Sequence, residues 1–259
     1  MYITGGVGAY HHGVSTRNDK VHEAFGRDFE LPNATAYNET CANIGNAMWN
    51  WRMLNLTGEA KYADVMERVL YNSGLSGMSV DGTRFTYTNP LARDVGQDLL
   101  SHDSRERWVT FSCYCCPPQV ARNLARVHEW AYGTSDDGLW VHLYGGSTVT
   151  AELPNLGKVR LTQDTKYPWD GRVKIKIGEV PGGSFALMLR IPGWTDRADI
   201  SINGEKARVP ANPGMYARIK RPWRRGDAVV LHMLMRPRLV ESHPRVEDTR
   251  NHGRDARAR

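Results

Sequence analysis

The chain has 259 residues, 41% of them hydrophobic and 24% charged, with 34 Lys and Arg against 28 Asp and Glu for a net charge of +6. That composition belongs to a folded globular chain and excludes wholesale disorder and collagen-like or mucin-like repeats. No run of about 18 apolar residues occurs, so neither a membrane-spanning helix nor a membrane partner is expected. The start, MYITGGVGAYHHG, lacks the basic and apolar regions of a secretory signal, which makes a cytoplasmic location the expectation. The basic excess thickens mainly in IKRPWRRG (219–226) and at the end of the chain. It reads as a solvated surface and tail, so no nucleic-acid partner is expected.

After Cys41, apolar residues recur at helical spacing at Ile44, Ala47, Met48, Trp51 and Leu54, until Asn55-Leu56-Thr57-Gly58 interrupts them. Tyr62, Val65, Met66, Val69 and Leu70 form a second stripe that Asn72-Ser73-Gly74 stops, so an antiparallel helical pair with a short turn is predicted. Thr83-Arg84-Phe85-Thr86-Tyr87-Thr88 alternates between Gly82 and Asn89-Pro90 and predicts a short strand. A third helix is predicted to start at Pro117-Pro118, because proline is tolerated in a first helical turn, and to run along Val120, Leu124, Val127 and Trp130 to Gly133. Beyond Ser135-Asp136-Asp137-Gly138 the character changes. Leu139–Tyr144, Ser147–Leu153, Val173–Ile177, Phe185–Ile191 and Ala228–Met233 are short β-branched or aromatic runs separated by Gly, Pro and Asn. Strands without helices between them read as an antiparallel sandwich, and Asn203-Gly204 is a hairpin signal. A domain boundary is therefore placed near residue 136.

The four cysteines are Cys41, Cys113, Cys115 and Cys116. They are too few for a disulfide scaffold, and their clustering points to metal or thiolate chemistry in a reducing compartment. Glu39-Thr40-Cys41 sets a carboxylate and a thiol two positions apart just before a helix. Cys113-Tyr114-Cys115-Cys116-Pro117-Pro118 sets three thiols at the start of another. One carboxylate and three thiols would fill the tetrahedron that zinc favours. Read alone, the first motif is a buried cysteine beside a helix-capping glutamate, and the second is a disulfide or an incidental thiol cluster. Together they favour a metal or thiolate centre. Pro117 keeps Cys116 out of helical geometry and supplies a bend, and the helix dipole lowers the pKa of a thiol placed there. Val21-His22-Glu23-Ala24-Phe25-Gly26 offers a further carboxylate, of interest only if it faces that centre.

Six motifs, in this order, carry a resemblance: Tyr2-Ile3-Thr4-Gly5-Gly6-Val7-Gly8, His22-Glu23-Ala24-Phe25-Gly26, Leu31-Pro32-Asn33, Tyr37-Asn38-Glu39-Thr40-Cys41-Ala42, Thr86-Tyr87-Thr88-Asn89-Pro90-Leu91 and Cys115-Cys116-Pro117-Pro118. From residue 2 to about residue 248 the chain resembles the β-L-arabinofuranosidase family, glycoside hydrolase family 127. The resemblance implies a retaining glycosidase in which a zinc-bound cysteine thiolate attacks the anomeric carbon. Matched by motif, Cys115 is the nucleophile and a zinc ligand, Glu39, Cys41 and Cys116 are the other ligands, Glu23 is the general acid/base and Tyr87 contacts substrate. Cys113 matches no ligand. Zinc coordination deprotonates a thiol outright, and a retaining mechanism sets nucleophile and acid/base about 5–5.5 Å apart.

The implied fold is part of an (α/α)6 barrel catalytic domain followed by an antiparallel β-sandwich. Residues 1–136 are expected to be the C-terminal half of the barrel, 137–248 the sandwich and 249–259 a disordered tail. Only three helices are read here, so a truncated chain is the expectation, and the substrate histidines that the family places upstream are missing. Gly253-Arg254-Asp255-Ala256-Arg257-Ala258-Arg259 also lacks the apolar alternation of a further strand. The implied partner is an arabinofuranose-containing oligosaccharide or glycoconjugate, and the reading leaves a homodimer open. Two alternatives stand beside the enzyme. One is a catalytically inactive zinc-binding fragment or structural or carbohydrate-binding module. The other is a four-cysteine zinc module in which Cys113 replaces Glu39.

Overall fold

The computed structural model of the chain describes residues 1–14, 20–92, 96, 104, 106–109, 114–154, 156–180 and 182–246, with backbone alone for 11–14 and 20–22. The chain divides into two compact units: residues 1–50, 65–125 and 239–259 form one, and residues 51–64 and 126–238 the other. The fold is mixed, with helices and one antiparallel hairpin described in the first part and two sheets in the second. Among the described residues no helix is long and apolar enough to cross a membrane.

In the first unit, β1 (Tyr10–Val14) and β2 (Lys20–Ala24) form an antiparallel hairpin. Helix α1 (Thr40–Thr57), of which residues 51–57 are counted with the second unit, starts where Glu39 accepts the first helical bond from Asn43 N–H at 3.0 Å. Ile44, Ala47 and Leu54 are its buried stripe. Gly58, at φ +70, closes the helix with its N–H on Leu54 O and turns the chain into α2 (Ala60–Val69). Here the Cβ-free residue is required, because a left-handed φ is strained for any other side chain. The expected stop after Leu70 is instead a wider turn, Leu70–Gly74, followed by a tight one, Leu75–Gly77.

Two expectations change here. The strand predicted over 83–88 reduces to isolated bridges of Phe85 with Met78 and Trp108. Its backbone is used elsewhere: Thr86 N–H donates to Gly77 O, Thr40 N–H to Tyr87 O and the Thr40 hydroxyl to Thr86 O. Helix α3 (Cys116–Ala131) begins one residue before the proline pair, so Cys116 is helical, contrary to the sequence reading. Gln119 N–H bonds Cys115 O at 3.2 Å, which puts both prolines in the first turn, where no N–H is needed. Leu124, expected on the buried stripe, is 40% exposed, whereas Val120, Asn123 and Trp130 are buried. The face that α3 turns inward is therefore displaced from the one its apolar residues trace.

The second unit holds two sheets. Strands β3 (Tyr132–Ser135), β4 (Gly138–Val141), β8 (Phe185–Ile191) and β11 (Met215–Arg221) make a four-stranded sheet in the order β11-β8-β4-β3. Strands β5 (Ser147–Leu153), β6 (Gly157–Thr165), β7 (Arg172–Ile177), β9 (Ala198–Ile202), β10 (Glu205–Lys206) and β12 (Ala228–Met233) make a six-stranded one in the order β10-β9-β12-β7-β6-β5. Side chains from both sheets, among them Leu139, Leu161, Ile175, Leu187, Leu189, Ile219 and Leu231, share one buried apolar cluster. Asn203 and Gly204, at φ +52 and +89, make the expected β9–β10 hairpin turn. The arrangement is not wholly antiparallel, because β4 pairs with β8 in parallel. The intervening strands of the other sheet let the chain return in the same direction.

A fully buried charge lies inside this unit. Arg190 on β8 is fully buried; its Nε donates to His142 O at 2.6 Å and its guanidinium meets Asp64 Oδ1 at 2.5 Å. Asp64 Oδ2 also accepts Gly193 N–H at 2.9 Å.

Candidate functional site

The site is assembled in the first unit, where the segment before α1 lies against the turn around Tyr87. Tyr37 N–H bonds Ala9 O at 3.1 Å and Asn38 N–H bonds Gly8 O at 2.8 Å, which seats this segment on the N-terminal loop. Asn38 is buried and adopts φ +44. Its amide holds it there: Asn38 Nδ2 donates to Asn89 O at 2.8 Å, and Asn89 Nδ2 returns to Asn38 O at 3.0 Å and to Thr40 Oγ1 at 3.0 Å. Asn43 Nδ2 adds a bond to Asn38 O at 3.2 Å. A reciprocal amide clasp thus fixes Tyr37 and Glu39, one on each side of Asn38, to the turn that carries Tyr87.

On this frame Glu39, Cys41, Cys115 and Cys116 converge, their ligand atoms all within 4.8 Å of one another. Cys115 and Cys116 lie 3.4 and 3.6 Å from Glu39 Oε1, with their sulfurs 3.7 Å apart. Tetrahedral zinc with ordinary Zn–S and Zn–O bonds needs ligand separations of about 3.8 Å between sulfurs and about 3.6 Å between sulfur and oxygen, so the residues present fit the ion. Although Glu39 occupies the capping position of α1, its carboxyl is turned to the thiols. Cys116 is fully buried and Cys115 partly so.

The charge balance of the cluster points the same way. Burial, with Glu23 adding its repulsion, raises the Glu39 carboxyl, and burial pushes the Cys115 thiol up to about 12. The hydrogen bond to Cys116 lowers Cys41 and in turn raises Cys116. Burial thus disfavours the charged forms of Glu39 and Cys115, and a divalent ion is the charge that would let the four donors ionise together.

Tyr37, Tyr87 and Cys116 form a small buried cluster, with Cys41 and Cys115 packed against it. Tyr87 O–H donates to Glu23 Oε1 at 3.2 Å, and Cys115 packs against the same cluster. Tyr37 O–H donates to the same Glu23 oxygen at 3.3 Å. Burial holds both phenols above their ordinary range, so they act as donors. Glu23 lies near the end of β2 at φ +55, a conformation uncommon for a residue with a Cβ and found preferentially at functional sites. Every residue proposed from the motifs, Glu23, Glu39, Cys41, Tyr87, Cys115 and Cys116, is thus in one neighbourhood, while Cys113 lies outside the described residues. Tyr37, Asn38 and Asn89 sit inside the quoted motifs without an assigned role. Their donor-rich side chains beside Glu39 and Tyr87 were the available signal, and the left-handed backbone of Asn38 was not readable.

Residues 1–129 match the family model described as the β-L-arabinofuranosidase GH127 catalytic domain, and residues 138–235 match the GH127 middle domain. A non-reducing end β-L-arabinofuranosidase of Bifidobacterium longum subsp. longum is 33% identical over 216 residues, 80% of this chain and 31% of its own length. A solved glycoside hydrolase is 43% identical with a TM-score of 0.91, the match covering 96% of this chain and 42% of that one. The GH127 β-L-arabinofuranosidase structure from Geobacillus stearothermophilus T6 is 41% identical with a TM-score of 0.80, over 96% and 38% of the two chains. The chain belongs to glycoside hydrolase family 127. It spans about a third to two fifths of the length of these relatives.

Proposed function

We propose that this chain carries the catalytic groups of a retaining glycosidase that cleaves β-L-arabinofuranosides or related furanosides. The convergence of one carboxylate and three thiols, with Cys115 packed against a cluster whose Tyr87 bonds a second carboxylate, is the observation that carries this reading. Glu39, Cys41, Cys115 and Cys116 would hold zinc, which when bound keeps the thiols ionised near neutral pH. Cys115 then attacks the anomeric carbon while Glu23 protonates the departing oxygen, and Glu23 next takes a proton from the water that displaces sulfur. Tyr87 lies between the two groups and is the substrate-contacting residue of this reading. Its support is the family membership together with the one-sided approach of both phenols to Glu23. The same reading makes residues 1–136 half of an (α/α)6 barrel and 137–248 a β-sandwich, a division supported by the two family-model matches on either side of it.

The test is hydrolysis of an aryl β-L-arabinofuranoside by the zinc-loaded chain, with labelling of Cys115 by a haloacetamide-type arabinofuranosyl reagent read by mass spectrometry. A Cys115→Ala chain that still turns over overturns the assignment. Because the chain covers only 31–42% of the length of its relatives, a second reading is a zinc-binding piece that hydrolyses substrate only when joined to the remaining length. An extended version that is active while this chain only binds zinc selects it. Loss of zinc on Cys113→Ala but not on Glu39→Ala selects the four-cysteine module.

A further inference from the structure

Glu23 receives two hydrogen bonds on one atom. Tyr37 and Tyr87 both donate to Oε1, at 3.3 and 3.2 Å, and Oε2 has no hydrogen-bond partner among the described residues. Tyr37 is the more constrained donor. It is 1% exposed, its N–H is on Ala9 O, its carbonyl accepts Asn89 N–H, and its ring lies tilted against that of Tyr87 with centroids 6.0 Å apart. Its hydroxyl is therefore a fixed point, whereas the terminal torsion of a glutamate is broad and otherwise exchanges its two oxygens.

We propose that Tyr37 is a positioning residue that, with Tyr87, holds Glu23 Oε1 as the proton-free oxygen and so commits Oε2 to proton transfer. This rests on the reading of Glu23 as the acid/base. A carboxyl group carries one O–H and one acceptor oxygen, and an oxygen that accepts two phenol protons is the acceptor. In the first step the Oε2 proton passes to the glycosidic oxygen, which keeps the electron pair of the breaking C–O bond while Cys115 sulfur bonds the anomeric carbon. In the second, Oε2 removes a proton from water as the water oxygen bonds that carbon and the C–S electron pair returns to sulfur. Free rotation of the carboxyl would place the proton on the wrong oxygen for part of the time, at a cost only to leaving groups that need protonation.

Tyr37→Phe removes the hydroxyl and keeps the ring. It is to be measured in the zinc-loaded full chain on methyl and dinitrophenyl β-L-arabinofuranosides, of which only the first needs its leaving oxygen protonated. The expected result is a fall of about tenfold or more in kcat/KM on the methyl glycoside, the size of a lost hydrogen bond to a charged group, with a change of about twofold or less on the dinitrophenyl glycoside. Equal losses on both, or no loss on either, overturn the proposal while leaving the glycosidase reading intact. If Tyr37→Phe does not fold, Tyr87→Phe is to show the same selectivity, and equal losses there count against the proposal too. A Glu23→Gln variant as active as wild type on the methyl glycoside overturns the acid/base reading and the proposal with it; where this chain alone hydrolyses neither substrate, the same variants are compared in the extended version, and an extended version that also hydrolyses neither overturns both.

Discussion

Replacing Asp64 with Asn should destabilise the sheet-bearing unit by about 3 kcal/mol. Arg190 is fully buried in β8, and Asp64 Oδ1 is its carboxylate partner at 2.5 Å. Charges about 4 Å apart at an effective dielectric near 20 attract by roughly 4 kcal/mol, and removing one partner of a buried pair costs about 3–5 kcal/mol because the remaining charge stays desolvated. Asn keeps an oxygen for either Arg190 or Gly193 N–H, which Asp64 Oδ2 now holds, so the loss sits toward the lower end. Urea unfolding followed by tryptophan fluorescence would show the midpoint falling by about 1.5 M for a denaturant slope near 2 kcal/mol/M. Arg190→Met removes the cation itself, and in the double variant the two losses should sum to more than the measured one by about 2 kcal/mol. A change below about 1 kcal/mol for Asp64→Asn would refute the reasoning, since Arg190 would then be compensated without a carboxylate.

Acid should weaken the same unit through His142, whose pKa burial, with the charge of Arg190 adding to it, lowers from 6.5 to about 4. The fold keeps this imidazole neutral, so its contribution is complete above pH 6.5 and is lost as the pH falls toward 4. The total is about 3 kcal/mol, and a His142→Gln chain should lack that slope in a pH series of unfolding midpoints. Gly6→Ala places a Cβ 1.9 Å from Asn38 Oδ1 and must push the amide out of its clasp with Asn89. A loss of about 1–3 kcal/mol is expected, with weakened zinc binding in a competition assay against a chelating dye. If zinc affinity is unchanged, the clasp does not position Glu39. One zinc per chain is expected by elemental analysis, and Cys116→Ala should lower its affinity by about a hundredfold or more; full retention would remove Cys116 from the ligand set.

The pairing of Glu39-Thr40-Cys41 with the Cys113–Cys116 run was legible because thiols and carboxylates that could share a metal are few in this chain, while the choice of Cys115 and Cys116 over Cys113 came from the family resemblance. The fold was legible where apolar spacing was regular, as in α1, β5, β8 and β12. It was opaque where a polar residue took a core position. Strand β6 turns Val159, Leu161 and Gln163 inward, and Gln163 is buried because its amide bonds the Tyr132 hydroxyl and Leu143 O. Strand β11 buries only Ala217 and Ile219 between charged neighbours. Arg190 reads as a surface residue until Asp64, far away in sequence, supplies its countercharge. The Asn38–Asn89 clasp depends on one left-handed backbone angle that residue identity alone does not announce.

The parallel pairing of β4 with β8 bears on the order in which the chain acquires its structure. Gly138 meets Ala186 only after β5, β6 and β7 have been traversed, and those three close as neighbouring antiparallel hairpins. Local hairpins form in microseconds, while a contact between distant segments waits for a large loop to close. The six-stranded sheet can thus be well advanced while the middle of the four-stranded sheet is still open. In that interval β8, apolar along almost its whole length, presents an unpaired edge to any other chain that has reached the same stage. Dilution and low temperature during refolding should therefore favour recovery of the native chain over its aggregates, more than for a protein of this size built from consecutive hairpins alone.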